Sequence, residues 1–154
     1  MLTSNHIFSY SILLPDFPPT ATEEKHNSTT PIFIVDWEYC QLGVLPMDLG
    51  HIVAELYKCW AFKNLDEAKW VIEGLAAGYG CFDDDFAFRT ALYAGSVIVS
   101  LATMASATMA LIIWGSEAQV QQILRVAKEL VLRAWRKDRA WFVEASDLAC
   151  LFGD

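Results

Sequence analysis

The chain has 154 residues, 55% of them hydrophobic and 13% aromatic, which is enough for one ordinary domain with its own core. A net charge of −8 would repel a phosphate backbone, so nucleic acid is excluded as an expected partner. The apolar excess has two explanations, a large core or apolar surface kept for a partner or for self-association. The cysteines, Cys40, Cys59, Cys81 and Cys150, form no Cys-x-x-Cys pair, and His51 stands alone between the first two. Reduced thiols in a cytoplasmic protein are the expectation. The first six residues lack the basic start and apolar run of a signal peptide.

In chain order, Ser11-Ile12-Leu13-Leu14 is a short apolar run stopped by Pro15-Asp16. Residues 17–31 are polar and rich in Pro and Thr, a loop, and Ile32-Phe33-Ile34-Val35 is a β-branched run of strand length. Together they predict a β-hairpin with a long connection, which needs helices to support it. After Val35 the period becomes helical. Pro46 suits a first turn, and Leu49, Ile52, Val53, Leu56, Tyr57 and Trp60 fall on one face. Asn64 with Glu67 reads as a capping box for a second helix. Its inward face would be Ala68, Val71, Ile72, Leu75, Ala76 and Tyr79, with Gly78 and Gly80 at its end.

A third helix is predicted from about Asp83. Residues 90–115 carry no charge, and their length permits a membrane span. However, Gly95, Ser96, Ser100, Thr103, Ser106 and Thr108 dilute the run, and no Lys or Arg cluster marks a cytoplasmic end. A buried core helix is the expectation and a membrane anchor the alternative. Ser116 with Gln119 is a further capping box. The helix after it would bury Val120, Ile123, Leu124, Ala127, Leu130, Val131, Ala134 and Trp135. Arg125, Lys128, Arg133, Arg136 and Lys137 would form a solvated face, gathered where the helix dipole favours cations. Trp141, Phe142, Leu148, Leu151 and Phe152 make an apolar tail expected to dock on the body. The acidic groups Glu23-Glu24, Asp66-Glu67 and Asp83-Asp84-Asp85 read as helix N-termini and solvated loops, or as a lure for a cationic substrate. The fold class is mainly α with a small β-hairpin, without internal repeats.

Chemistry concentrates in Ile34-Val35-Asp36-Trp37-Glu38. An apolar strand there delivers an aspartate at its C-terminal end, ahead of a loop and a helix. Such a carboxylate suits magnesium, a hard cation with oxygen ligands, and Glu38 is a candidate second ligand or a solvent-facing acid. Asp48 follows in Leu45-Pro46-Met47-Asp48-Leu49-Gly50. From spacing alone the structural reading leads, with Asp36 as a strand-end turn residue and Asp48 as an acid on a helix dipole.

The wording of these segments adds to that. Val35-Asp36-Trp37-Glu38, then Gly43, then Pro46-Met47-Asp48-Leu49-Gly50, resembles the aminoglycoside phosphotransferase family, above all its fungal members. The tail, with Glu117-Ala118-Gln119-Val120, Ala134-Trp135-Arg136-Lys137-Asp138-Arg139 and Trp141-Phe142, resembles the end of such proteins. The resemblance implies the C-terminal lobe of the protein-kinase-like fold. It implies ATP and Mg²⁺ as cofactors, and phosphoryl transfer to the hydroxyl of a small molecule. Asp36 would then be the metal-binding aspartate and Asp48 the brace of the catalytic loop.

This chain also departs from the family pattern. Registered on Ile12-Leu13-Leu14-Pro15-Asp16, the family's His-Gly-Asp-x-x-x-x-Asn loop would put its asparagine at Ser11 and its base aspartate at His6. Its histidine and glycine fall on Ser4 and Asn5, so none of the four is retained. No glycine-rich phosphate loop or strand lysine precedes Ser11, so the nucleotide-binding lobe is expected to be missing. Residues 1–154 then form one partial domain, with 1–36 the remnant of the catalytic-loop region and hairpin and 37–154 the helical lobe. The first expectation for function is a truncated phosphotransferase, inactive alone. A non-catalytic binding or self-association module is second, and a protein anchored in a membrane through residues 90–115 is third.

Overall fold

A computed structural model describes residues 2–3, 12–14, 31–35, 41–80, 83–104 and 116–153. The described residues are mainly helical and include four two-residue strands: β1 (Leu2–Thr3), β2 (Ile12–Leu13), β3 (Phe33–Ile34) and β4 (Gln41–Leu42). β2 and β3 form the predicted antiparallel hairpin, with Ile12 opposite Ile34 and Leu13 opposite Phe33. A second antiparallel pair, β1 with β4, sets Leu2 against Leu42 and Thr3 against Gln41. Nothing in the alternation of residues marks that pair, because two residues are too few to show a period.

Helix α1 (Leu45–Lys63) starts after the extended Val44, with Pro46 in its first turn as expected. Leu49, Val53 and Tyr57 are buried, and Ile52, Leu56 and Trp60 are half-buried beside them. α1 packs on β1 and on the next two helices. Its burial therefore extends beyond the apolar stripe to Asp48, His51 and Glu55. Asn64, expected to start the second helix, instead ends the first. It adopts the left-handed conformation at φ 52°, with its N–H donated to the Cys59 carbonyl. Asparagine tolerates that conformation better than most residues. Asp66 takes the N-cap position of α2 (Glu67–Tyr79).

α2 buries a thinner stripe than predicted, made of Ala68, Ile72 and Ala76. Val71 and Tyr79, expected inside, are exposed, as is Trp70. The helix packs on α1 and on a 3₁₀ turn near the C-terminus, so one side suffices to hold it. Gly80, at φ +95°, ends it.

α3 (Asp84–Met104) is capped by Asp83, whose Oδ1 accepts from the Phe86 N–H at 2.7 Å. Ala87, Ala91, Ala94, Ile98 and Ala102 recur at helical spacing and are buried. α3 packs against both α1 and α4 (Glu117–Trp135). It is the one helix among the described residues long and apolar enough to cross a membrane. The rest of the uncharged stretch, residues 105–115, lies outside the described residues.

α4 opens with the predicted capping box. The Ser116 N–H donates to Gln119 Oε1 at 2.9 Å, and Ser116 Oγ accepts from the Gln119 N–H at 3.4 Å. Ile123, Ala127, Leu130 and Ala134 are buried. Trp135, expected beside them, is 78% exposed, because the helix ends there and Ala134 is its last residue on the core. The basic face is solvated as predicted, apart from the half-buried Arg133, which pairs with Asp138 at 2.7 Å and Glu129 at 3.2 Å. α5 (Arg139–Ala145) and a 3₁₀ turn (Ala149–Leu151) follow. The apolar tail docks as expected. Phe142, Leu148 and Leu151 are buried, and the Phe142 and Phe152 rings stack 4.5 Å apart beside Phe88.

Candidate functional site

Asp36 follows β3 by two residues, and Ser11 directly precedes β2. Asp36, Glu38, Ser11 and His6 lie outside the described residues, as do Ser4 and Asn5. What the structure does place is the β2–β3 hairpin. Its register sets Ile12, next to Ser11, opposite Ile34, two residues before Asp36.

Asp48 is described, and it is buried at 7% exposure in the first turn of α1. Val44 supplies no side-chain cap to that turn. A carboxylate there opposes the positive end of the helix dipole. It also reaches the far end of α2. The Tyr79 hydroxyl is pushed up from its ordinary range, first by partial burial of a residue that stays 43% exposed and then by the Asp48 charge. His51 and Glu55 follow Asp48 at i+3 and i+7, and both are buried, Glu55 in an ion pair with Lys58. Spacing of i, i+3 and i+7 puts the three on one helix face, but only packing shows that this face is buried. Among the described residues no group of three His, Cys, Asp or Glu side chains is placed to hold a metal ion.

A second polar cluster lies towards the C-terminal half of α1. The Tyr57 hydroxyl donates to Asp147 Oδ2 at 3.2 Å, and Lys69 Nζ donates to Asp147 Oδ1 at 3.0 Å. Lys69 also sits 4.6 Å above the Trp60 ring. Tyr57, Trp60 and Asp147 line a cleft of about 290 Å³ together with Asp66, Gln122 and Ile123. Burial, and after it the Asp147 charge, pushes the Tyr57 hydroxyl far above its ordinary value. It is therefore a proton donor to Asp147 at any physiological pH and not a base. Nothing in the order of residues marks this cluster, because Asp147 lies 90 positions from Tyr57 and 78 from Lys69. Cys59 and Cys150 are free thiols, and burial raises the Cys150 thiol, which disfavours the reactive thiolate. Cys40 and Cys81 lie outside the described residues.

Comparison with curated proteins gives a similarity to the phosphotransferase FrzJ of Cladobotryum sp. Identity is 29% over 129 residues, covering 84% of this chain and 31% of that protein. The chain thus spans less than a third of the length of the curated relative it matches. No family model matches the chain, and no solved structure matches it. The aligned region takes in most of the helical body and supports a phosphotransferase-like relationship.

Proposed function

We propose that this chain is the helical, C-terminal-lobe portion of an ATP-dependent phosphotransferase of the aminoglycoside phosphotransferase type, acting on a small-molecule hydroxyl in the cytoplasm, and that the chain alone transfers no phosphate. The observation that carries this reading is the similarity to a phosphotransferase over 84% of the chain. The β2–β3 hairpin and the buried Asp48 agree with it.

In this reading Asp36 holds Mg²⁺, with Glu38 beside it, and the bound ion offsets charge on the nucleotide phosphates. Asp48 braces the catalytic loop from the first turn of α1. The donor set is nonetheless poor. Ser11 offers a neutral hydroxyl where the family has an amide oxygen, and His6 offers an imidazole where it has a carboxylate base. An imidazole is a poor ligand for a hard cation. No transfer step follows from these residues, which is why the chain is expected to be inactive alone.

Thermal denaturation with and without Mg-ATP tests the reading. A ligand that binds only the folded state raises stability by mass action, about 2.7 kcal/mol at a hundredfold excess over Kd. A rise in Tm that disappears in Asp36→Ala, with no ATP turnover, is the expected result. No shift in either protein would remove Asp36 from a nucleotide site, and turnover by the chain alone would overturn its assignment as inactive.

A second reading has its own observation. Leu14, Ile32 and Phe33 at the hairpin are exposed, and Leu42 of β4 is 81% exposed. Apolar surface of that kind serves a non-catalytic binding or self-association module. Light scattering decides between them, since a monomer across a wide concentration range excludes self-association.

A further inference from the structure

A groove of about 430 Å³ lies between the first half of α3 and the last turn of α4. Asp85, Arg89, Leu92 and Tyr93 line it at helical spacing from α3, over Phe88. Phe88 is buried and held by the Phe142 and Phe152 rings, so that side of the groove is rigid. On the other side stands Trp135, whose indole lies open to solvent at the lip, although the helical pattern would place it inside.

Two features set the charge of this groove. Arg89 and Lys137 share one carboxylate, Asp85, at 3.8 and 3.1 Å, which leaves one positive charge at an aromatic rim. The neighbouring acid, Asp84, is answered by Arg139 at 3.1 Å. The residues that line the groove thus carry a balance of one positive charge, in a protein of net charge −8. The backbone at Lys137 is also unusual. It is left-handed at φ 54°, in the turn that ends α4, where glycine is the favoured residue. Residues kept in a disfavoured backbone conformation cluster at ligand-binding and active sites. Here the lysine carries its ammonium to the groove.

We infer that this groove is a binding site for a small planar aromatic anion, such as an aryl carboxylate. The ring would lie along Trp135 and Leu92, where offset stacking and apolar burial favour it. The anionic group would meet Arg89 and Lys137 in charge-assisted hydrogen bonds. A cationic ring would meet the same pair with repulsion. None of the residues that line this groove has a role in the proposed nucleotide site.

Calorimetric titration of the full chain with 1-naphthoate and with 1-naphthylmethylammonium tests this. The anion is expected to bind with a Kd of about 1 mM or tighter, within what a ligand of that size can reach. The cation is expected to bind at least about tenfold more weakly. Lys137→Gly separates binding from folding. Glycine relieves the left-handed turn, so Tm should be kept or raised, while naphthoate affinity falls about tenfold or more. Arg89→Gln should weaken the anion similarly. Absence of naphthoate binding, equal binding of the two ring compounds, or unchanged affinity in Lys137→Gly would each overturn the inference.

Discussion

A Cβ placed on Gly50 of α1 would stand 2.7 Å from the Cβ of Tyr93 on α3, and 2.8 Å from the Thr90 carbonyl oxygen. The two helices meet there at backbone distance, and the final glycine of Pro46-Met47-Asp48-Leu49-Gly50 is what allows it. Gly50→Ala should therefore force α1 and α3 apart and cost about 1–3 kcal/mol. Gly74→Ala on α2 is the control, because nothing lies within 4 Å of the added methyl. It should gain about 0.5–1 kcal/mol from helix propensity. Urea denaturation of both variants gives the comparison, and a loss of equal size in both would show that Gly50 is not special.

Asp48 and Tyr79 give a spectroscopic test of the buried carboxylate. Burial raises the Tyr79 hydroxyl most and the Asp48 charge adds to it. Asp48→Asn should therefore lower the Tyr79 ionisation point without returning it to the ordinary value. Absorbance titration of Asp48→Asn, with and without Tyr79→Phe to assign the signal, measures it. The same substitution should cost about 0.3–1 kcal/mol through the helix dipole.

Asp138 should govern part of the acid limb of stability. The hydrogen bond from Arg133, then that from the Trp141 N–H, holds its carboxyl below the usual carboxylate range. A folded value below the unfolded one means stability that is present above about pH 3.9 and lost as pH falls through the lowered value. Asp138→Asn should then be less stable than wild type at neutral pH, and the gap should narrow by pH 2. A gap that stays constant across that range would rule this out.

Tyr57 should act at the other end of the scale. Its folded value lies above its unfolded one, so its contribution is complete below about pH 10 and declines as pH rises further. Tyr57→Phe removes the bond to Asp147 and should cost about 1 kcal/mol at neutral pH. Its stability should also fall less steeply in alkali than that of wild type, as chemical denaturation at pH 8 and pH 11 would show.

Local signals carried much of this architecture. The Ser116–Gln119 capping box, Pro46 in the first turn of α1 and the run of small residues through α3 each act within a few positions, so a single sequence displays them. The errors arose where tertiary placement decides. Asn64 carries the same letter whether it starts one helix or ends another, and its left-handed backbone shows only in the fold. Val71, Tyr79 and Trp135 follow the helical period, yet α2 has a neighbour on one side only and α4 ends at Trp135. For the candidate site, strand and motif order pointed to Asp36, Glu38 and Asp48, whereas the burial of Asp48 beside His51 and Glu55 required the packed helix. The Tyr57–Asp147–Lys69 cluster was beyond reach, since its members are joined only by folding.

The docked tail has a consequence for how the protein is made. Phe142, Leu148, Leu151 and Phe152 close the core around Phe88, which is synthesised more than fifty positions earlier. Phe88 lacks the cover of the Phe142 and Phe152 rings until residue 152 has emerged from the ribosome, so its part of the core closes only after that point. During that interval the nascent α3 presents apolar surface, and chaperone engagement of ribosome-bound chains should persist until residue 152 has emerged.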